Sequence, residues 1–341
     1  MYIIFGTSQS IARGLSRRSD DHASIRSLPM TTRLLVLEDD AYEYADAVKD
    51  HALDDLEIIV SSAPEPTGEI PEVDVMLARP EYAAHWLEVM DTVKWIQSTW
   101  AGINPLLDVT ARKGIVLTGV KDIFGPLIAE YVLAYLLNEV RLTEHYKKEQ
   151  QSKRWSQRRP DTLQGKTLMI LGTGSIGSYL GRMAGYFGLN VIGVSRSGAG
   201  VTGFDRVLTV EEFTGELPCV DYLACALPDT PETANLLNQD RLCALQAGAY
   251  LINVGRGSTV DHTALVNLLE NGHLAGALLD VFPDEPLPTD SPLWKTTNLA
   301  ITPHIAAVSY PRDIARIFAE NYHRYSAGEA LLHQISVEHG Y

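Results

Sequence analysis

The densest chemical signal in the chain is a glycine run, Gly172-Thr-Gly174-Ser-Ile-Gly177, which follows an apolar stretch at 167–171 and opens a segment of helical period at 176–187. In such a turn the first glycine permits the tight bend and the second lets the backbone approach a pyrophosphate. The third allows the helix to pack close to the strand, and the amides at the helix start face the phosphates. A glycine-rich turn without a ligand has the same composition, but the strand before it and the strand at 190–194 after it favour a dinucleotide. At the end of that second strand a carboxylate would accept hydrogen bonds from the adenosine ribose and repel a 2′-phosphate. The chain carries Val194-Ser195-Arg196-Ser197 there instead. A guanidinium with two hydroxyls suits the extra phosphate, so the residues favour NADP over NAD, with Arg196 stacked on adenine or solvated as the alternative.

Three later blocks put polar groups at the ends of apolar strands, where open α/β sheets bind ligands. They are Leu251-Ile-Asn-Val254-Gly255-Arg256-Gly257, Leu279-Asp280-Val-Phe-Pro-Asp-Glu285-Pro286 and Ile301-Thr-Pro303-His304-Ile-Ala-Ala307. Taken singly, each has an ordinary reading: Arg256 as an exposed turn residue, Glu285 as a solvated loop carboxylate, His304 as a capping or packing histidine. Arg79 and Trp100 could add charge and shape to a site, or be plain surface and core.

The elements that must position these residues fall into two series. From residue 30 to 125, strand-length apolar stretches at 33–37, 57–60, 73–77, 93–98 and 114–118 alternate with helical segments, the pattern of a small parallel α/β unit. Residues 126–146 have apolar positions at helical spacing and read as one long helix, with Pro126 in its first turn and a charged continuation through Lys153 and Arg154. A second α/β series then runs through 167–171, 190–194, 222–226, 250–254, 277–279 and 299–302, before a last helix at 311–327. The expected fold is α/β: a Rossmann dinucleotide-binding domain, 126–307, inserted into a smaller flavodoxin-like substrate domain, 30–125 plus 308–341. Residues 1–29 read as an extension outside the fold.

The 341 residues suffice for two cores. A hydrophobic fraction of 45 %, a charged fraction of 21 % and no apolar run near the roughly 20 residues of a membrane span point to a soluble, cytoplasmic protein. A net charge of −15 argues against nucleic acid or an anionic membrane as partner, and requires local cations for an anionic substrate. Cys219, Cys225 and Cys243 have no C-x-x-C spacing and read as interior packing, with neither disulfide nor metal.

In order and spacing, the glycine fingerprint, Ala226-Leu-Pro-Asp-Thr-Pro-Glu-Thr233 and the three strand-end blocks resemble the D-isomer-specific 2-hydroxyacid dehydrogenases. Ser291-Pro-Leu-Trp294, Thr302-Pro-His-Ile-Ala-Ala307 and the closing Gly340-Tyr341 are most similar to the bacterial glyoxylate/hydroxypyruvate reductase A subgroup, which prefers NADPH. The resemblance implies Arg256, Glu285 and His304 as catalytic residues and the backbone around Ala101 and Gly102, with Arg256, as the carboxylate holder. It implies cofactor contacts at Ser175, Ile176, Leu227, Pro228, Thr233, Val254 and Asp280, and a homodimer built around 126–146. Tyr310-Pro311 departs from the subgroup, which often has arginine before that proline, and this leaves substrate range open.

Such a reaction passes a hydride between a nicotinamide and the carbon of a small 2-keto or 2-hydroxy acid. Negative charge grows on the keto oxygen, and a protonated His304 suits the task of quenching it. The Glu285 carboxylate can fix the tautomer and favour the charged ring, and Arg256 can hold a carboxylate in its planar fork while polarising the carbonyl. Asp280 can orient the nicotinamide carboxamide. The rival readings are an NAD-dependent D-lactate-type dehydrogenase, a phosphoglycerate dehydrogenase and, from another class, a nucleotide-sensing binding module of the same fold.

Overall fold

A computed structural model describes residues 31–336. The extension read at 1–29 and the closing Gly340-Tyr341 lie outside the described residues. Short apolar runs buried on both faces form parallel strands, as expected where helices cover a sheet on both sides. β1 (Thr32–Leu37), β2 (Leu56–Ser61), β3 (Val75–Ala78), β4 (Trp95–Ser98) and β5 (Val116–Thr118) pair in the order β2-β1-β3-β4-β5, the flavodoxin-like order. The second sheet contains β6 (Thr167–Leu171), β7 (Asn190–Val194), β8 (Arg206–Leu208), β9 (Tyr222–Cys225), β10 (Tyr250–Asn253), β11 (Gly276–Leu279) and β12 (Leu299–Ile301). Its order is β12-β11-β10-β9-β6-β7-β8, so direction of winding reverses between β6 and β9 and opens the crevice of a Rossmann sheet there.

The first sheet is completed by the far end of the chain. α9 (Pro311–Ala327) lies along α1 (Ala41–Lys49), and its Ile314, Ala315, Phe318 and Tyr322 share a core with Leu34, Val36, Val75 and Leu77. Phe318 stacks on Trp95 with ring centroids 5.1 Å apart. Burying side chains of this kind stabilises by about 1.5–3 kcal/mol each, so α9 is integral to the first unit. The helix stops where Gly328 takes a left-handed φ of 70°, and Gln334 then bridges to Thr118.

Two expectations are corrected, and one strand is added. The segment 126–146 is two helices, α4 (Phe124–Val140) and α5 (Thr143–Gln151), separated where Leu142 adopts φ 58°. A leucine in that conformation leaves no glycine or proline to announce the break. Cys225 is buried, and burial pushes its thiol up to about 11, but Cys219 and Cys243 are exposed. The 3-10 segment Phe213–Cys219 and the short helix α7 (Gln239–Ala244) that carry them bury Phe213, Leu217 and Leu242 instead. β8 has only three residues at a sheet edge, too few to show a period.

α8 (His262–Glu270) is capped by Asp261, whose side chain accepts from the Ala264 amide at 3.0 Å. The ring of His262, at the first helical position, lies 6.2 Å from Phe282. Its Nε2 has no hydrogen-bond partner among the described residues. Burial pulls this imidazole below its ordinary pKa, whereas in the unfolded chain it titrates near about 6.5. Between those values the unfolded state binds a proton that the folded state refuses, so stability is full above the unfolded value and declines on acidification. The denaturation midpoint should fall between about pH 7.5 and about pH 5.5, and fall less in His262→Leu. Equal declines in both proteins would exclude His262 as the source.

Candidate active site

Because the second sheet is parallel, the C-terminal ends of its strands share one edge, and the loops leaving that edge carry most residues singled out above. Gly172 has φ 105°, and a Cβ there would come 2.7 Å from the Ala226 carbonyl oxygen; a Cβ at Gly177 would lie 1.9 Å from the Gly172 oxygen. The protein's own packing requires both glycines. Gly174 is different: a Cβ there meets nothing within 4 Å. It precedes α6 (Ser175–Tyr186), whose first turn has no side-chain cap. Bare backbone facing open space at an uncapped helix start fits a pyrophosphate, so these residues fit a dinucleotide.

At the end of β7 the Ser195 amide bonds Leu208 at 3.0 Å and the Ser195 hydroxyl accepts from Gly198 at 3.2 Å, leaving Arg196 exposed on the same edge. The Glu232 carboxyl is held below the usual range first by a backbone hydrogen bond, then by Thr230, and further by the charge of Arg196. The charge of Arg196 is thus felt by Glu232, in the loop that also contains Leu227, Pro228 and Thr233. Leu227 packs over Gly172. The Thr233 hydroxyl donates to the Pro228 carbonyl at 2.7 Å and accepts from the Thr230 amide at 2.9 Å, closing its own loop.

Arg256 leaves β10 between two glycines. A Cβ at Gly255 would meet the Leu227 backbone at 2.8 Å, and one at Gly257 would fall 2.0 Å from the Phe282 carbonyl carbon. Three loops thus pack backbone to backbone. Buried Asn253 clamps the turn, accepting from the Gly255 amide at 3.1 Å and donating to the Arg256 carbonyl at 2.8 Å. The Arg256 side chain is steadied by an Nη1 bond to the Gly255 carbonyl at 2.7 Å.

Glu285 Oε1 accepts from the Phe282 amide at 2.8 Å, and its Oε2 lies 2.7 Å from His304 Nδ1. A carboxylate only accepts, so Nδ1 carries a proton and Nε2 is the nitrogen left for the cleft that His304 lines. His304 has φ 54°, an uncommon conformation for any residue but glycine. Asp280 holds it there. The His304 amide donates to the Asp280 carbonyl at 2.8 Å, and the Asp280 carboxylate accepts from the Thr302 hydroxyl at 2.5 Å and from the amides of Ile305 and Ala306 at 2.9 Å. Of the roughly four acceptor positions on a carboxylate, one remains.

The opposite wall comes from the first sheet, where Arg79 precedes α2 (Pro80–Trp86) and the 101–102 loop precedes α3 (Asn104–Lys113). Arg79, Trp100, Ala101 and Gly102 line, with Arg256, Asp280, Glu285 and His304, a single cleft of about 1040 Å³. Ile176 and Val254 also line it, whereas Ser195, Arg196, Pro228 and Thr233 lie outside it. A Cβ at Gly102 would press within 3.2 Å of Arg256 Nη2, so the glycine lets that guanidinium reach the 101–102 loop. The Trp100 and His304 rings stand nearly perpendicular, with centroids 6.3 Å apart.

Three residues in or behind this wall are not marked out by the sequence: Glu38, Asp39 and Tyr82, whose hydroxyl donates to Asp39 at 2.5 Å. Glu38, 4 % exposed, accepts from Trp100 Nε1 at 2.7 Å and from the Thr99 hydroxyl at 2.8 Å. Arg79 lies 3.6 Å from Glu38 and 2.5 Å from Asp39, with its guanidinium 4.6 Å above the Trp100 ring. Its charge is thereby matched, while among the described residues no carboxylate pairs with Arg256. The only sequence sign was an acidic run placed directly after the buried strand β1. Tyr310 is half-exposed at the start of α9, and Ser309 lines the cleft in its stead.

Residues 133–306 match the family described as D-isomer specific 2-hydroxyacid dehydrogenase, NAD binding domain. A glyoxylate/hydroxypyruvate reductase A of Serratia proteamaculans is 33 % identical, over 80 % of this chain and 93 % of its own. A D-isomer specific 2-hydroxyacid dehydrogenase family protein of Aeromonas salmonicida superposes with a TM-score of 0.86 at 39 % identity, covering 90 % of this chain and 99 % of that one. A D-isomer specific 2-hydroxyacid dehydrogenase of Xanthobacter autotrophicus, solved with NADPH and MES, gives 0.78 at 30 % identity over 90 % and 99 %.

Proposed function

This chain belongs to the D-isomer specific 2-hydroxyacid dehydrogenase family, and from that premise we propose that it reduces small 2-keto acids, glyoxylate and hydroxypyruvate, with NADPH. Membership makes it an NAD(P)-dependent oxidoreductase. The observation that carries the finer reading is the meeting of Arg256, Glu285 and His304 on one cleft, with the 101–102 loop across from them.

When bound, the reduced nicotinamide supplies a hydride to the keto carbon. Arg256 and the backbone of Ala101 and Gly102 hold the substrate carboxylate, the guanidinium also drawing charge from the carbonyl. His304 donates its Nε2 proton to the carbonyl oxygen as charge develops there, which yields the hydroxyl. Glu285 keeps Nδ1 protonated throughout, so the proton released is the one facing the cleft. Asp280 holds the His304 turn, and its remaining acceptor position would be available to the carboxamide of a bound nicotinamide. Closure of the two units on the cleft excludes water.

The test follows NADPH oxidation with glyoxylate, hydroxypyruvate and pyruvate in turn. Turnover on the first two supports the reading, and turnover confined to pyruvate would move it to a D-lactate-type enzyme. No turnover on any 2-keto acid, with intact dinucleotide binding, would favour a nucleotide-sensing module. The NADPH preference rests on Arg196, aided by the NADPH complex of the Xanthobacter relative. A hydrogen bond to a charged group is worth about 1.5–3 kcal/mol, so Arg196→Asp should lower the NADPH-to-NADH ratio of kcat/KM by about 10- to 100-fold. An unchanged ratio would reject the phosphate assignment. The same reading carries a homodimer built around α4 and α5; a solution mass of one chain would exclude it.

A further inference from the structure

Thr302 stands two residues before His304 and has a single hydroxyl proton. That proton goes to Asp280, because Thr302 Oγ1 lies 2.5 Å from Oδ1 and a carboxylate can only accept. The Tyr131 hydroxyl lies 2.5 Å from the same threonine oxygen. With the threonine proton committed, Tyr131 must be the donor. Burial pushes the phenol above its ordinary pKa, which keeps that proton in place. The hydrogen bonds therefore run one way, from Tyr131 through Thr302 to Asp280. They end on the carboxylate that receives the Ile305 and Ala306 amides and on the residue whose carbonyl receives the His304 amide.

Tyr131 sits on α4, the first helix after the chain leaves the first sheet, and is not among the residues lining the cleft. Its ring packs 5.0 Å from Tyr135. We propose that Tyr131 is a positioning residue for the reaction: through Thr302 and Asp280 it fixes the left-handed turn that aims His304 at the substrate. The inference rests on the reading of His304 as proton donor. Its physical basis is that a turn in an uncommon backbone conformation persists only where its surroundings over-determine it. The relay supplies that constraint from a helix outside the turn.

Tyr131→Phe keeps the ring and removes the donor, leaving a part-buried threonine oxygen short of a partner. Its kcat should fall about tenfold, with KM for the keto acid and Kd for NADPH unchanged. Thr302→Ser should behave like the parent, Thr302→Val should lose at least as much as Tyr131→Phe, and adding Tyr131→Phe to Thr302→Val should cost nothing more, since the relay is already broken. Full kcat in Tyr131→Phe, or losses that multiply independently, would overturn the proposal. A measurement free of catalysis separates it from the functional reading: in the full chain, amide exchange at residues 304–306 should quicken in Tyr131→Phe. Quickened exchange in a protein that reduces no keto acid would reject the function and keep the relay. Unchanged exchange in an active enzyme would reject the relay and keep the function.

Discussion

Replacing His304 with alanine is expected to lower kcat for keto-acid reduction by about 10²- to 10⁴-fold, the usual worth of a placed general acid. Dinucleotide affinity, read by fluorescence titration, should stay close to that of the parent protein. The asymmetry follows from where the ring stands. His304 is tied to Glu285 at 2.7 Å on the loop after β12, whereas the glycine turn that fits the pyrophosphate leaves β6. Without the imidazole, water must quench the developing alkoxide, while the phosphate-binding backbone is untouched. If His304→Ala kept more than about a tenth of the parent kcat, below the range expected of a general acid, the proton would have to come from another group.

Arg256→Lys should cost about 10²- to 10³-fold in kcat/KM, although it conserves charge. Lysine offers a point charge on a mobile stem, where the reading requires a planar fork that meets a carboxylate and a carbonyl together. The loop is shaped for that fork: Gly255 and Gly257 allow its backbone to pack, Asn253 clamps it, and Gly102 leaves room for Nη2. Steady-state kinetics on the lysine variant decide the matter, since a loss of less than about tenfold would mean that positive charge alone suffices.

The Rossmann unit was legible because strands buried on both faces are written as unbroken apolar runs. β6 and β7 fall at 167–171 and 190–194, where the residues alone put them, and α9 at 311–327 likewise. The break at Leu142 was not legible, because left-handed backbone at a leucine is imposed by packing and leaves no mark in residue type. Arg256, Glu285 and His304 stood out as polar residues past the ends of apolar strands. Glu38 and Tyr131 did not, since each acts through a partner 62 or 171 positions away, Trp100 and Thr302 respectively. Asn253 was hidden inside the strand run itself, its amide reading as one polar letter among apolar neighbours. A single chain displays its strands but not its long-range pairings.

The shared core of α1, β1, β3 and α9 has a consequence for biosynthesis. On the ribosome, the apolar face presented by Leu34, Val36, Val75 and Leu77 emerges early, yet Phe318 and its neighbours are translated only after the entire 124–306 stretch. At roughly 5–20 residues per second, the nascent chain carries that bare face for on the order of ten to forty seconds. The inserted unit can mature meanwhile, and the outer unit closes last, which makes this interval the one in which a chaperone would matter most.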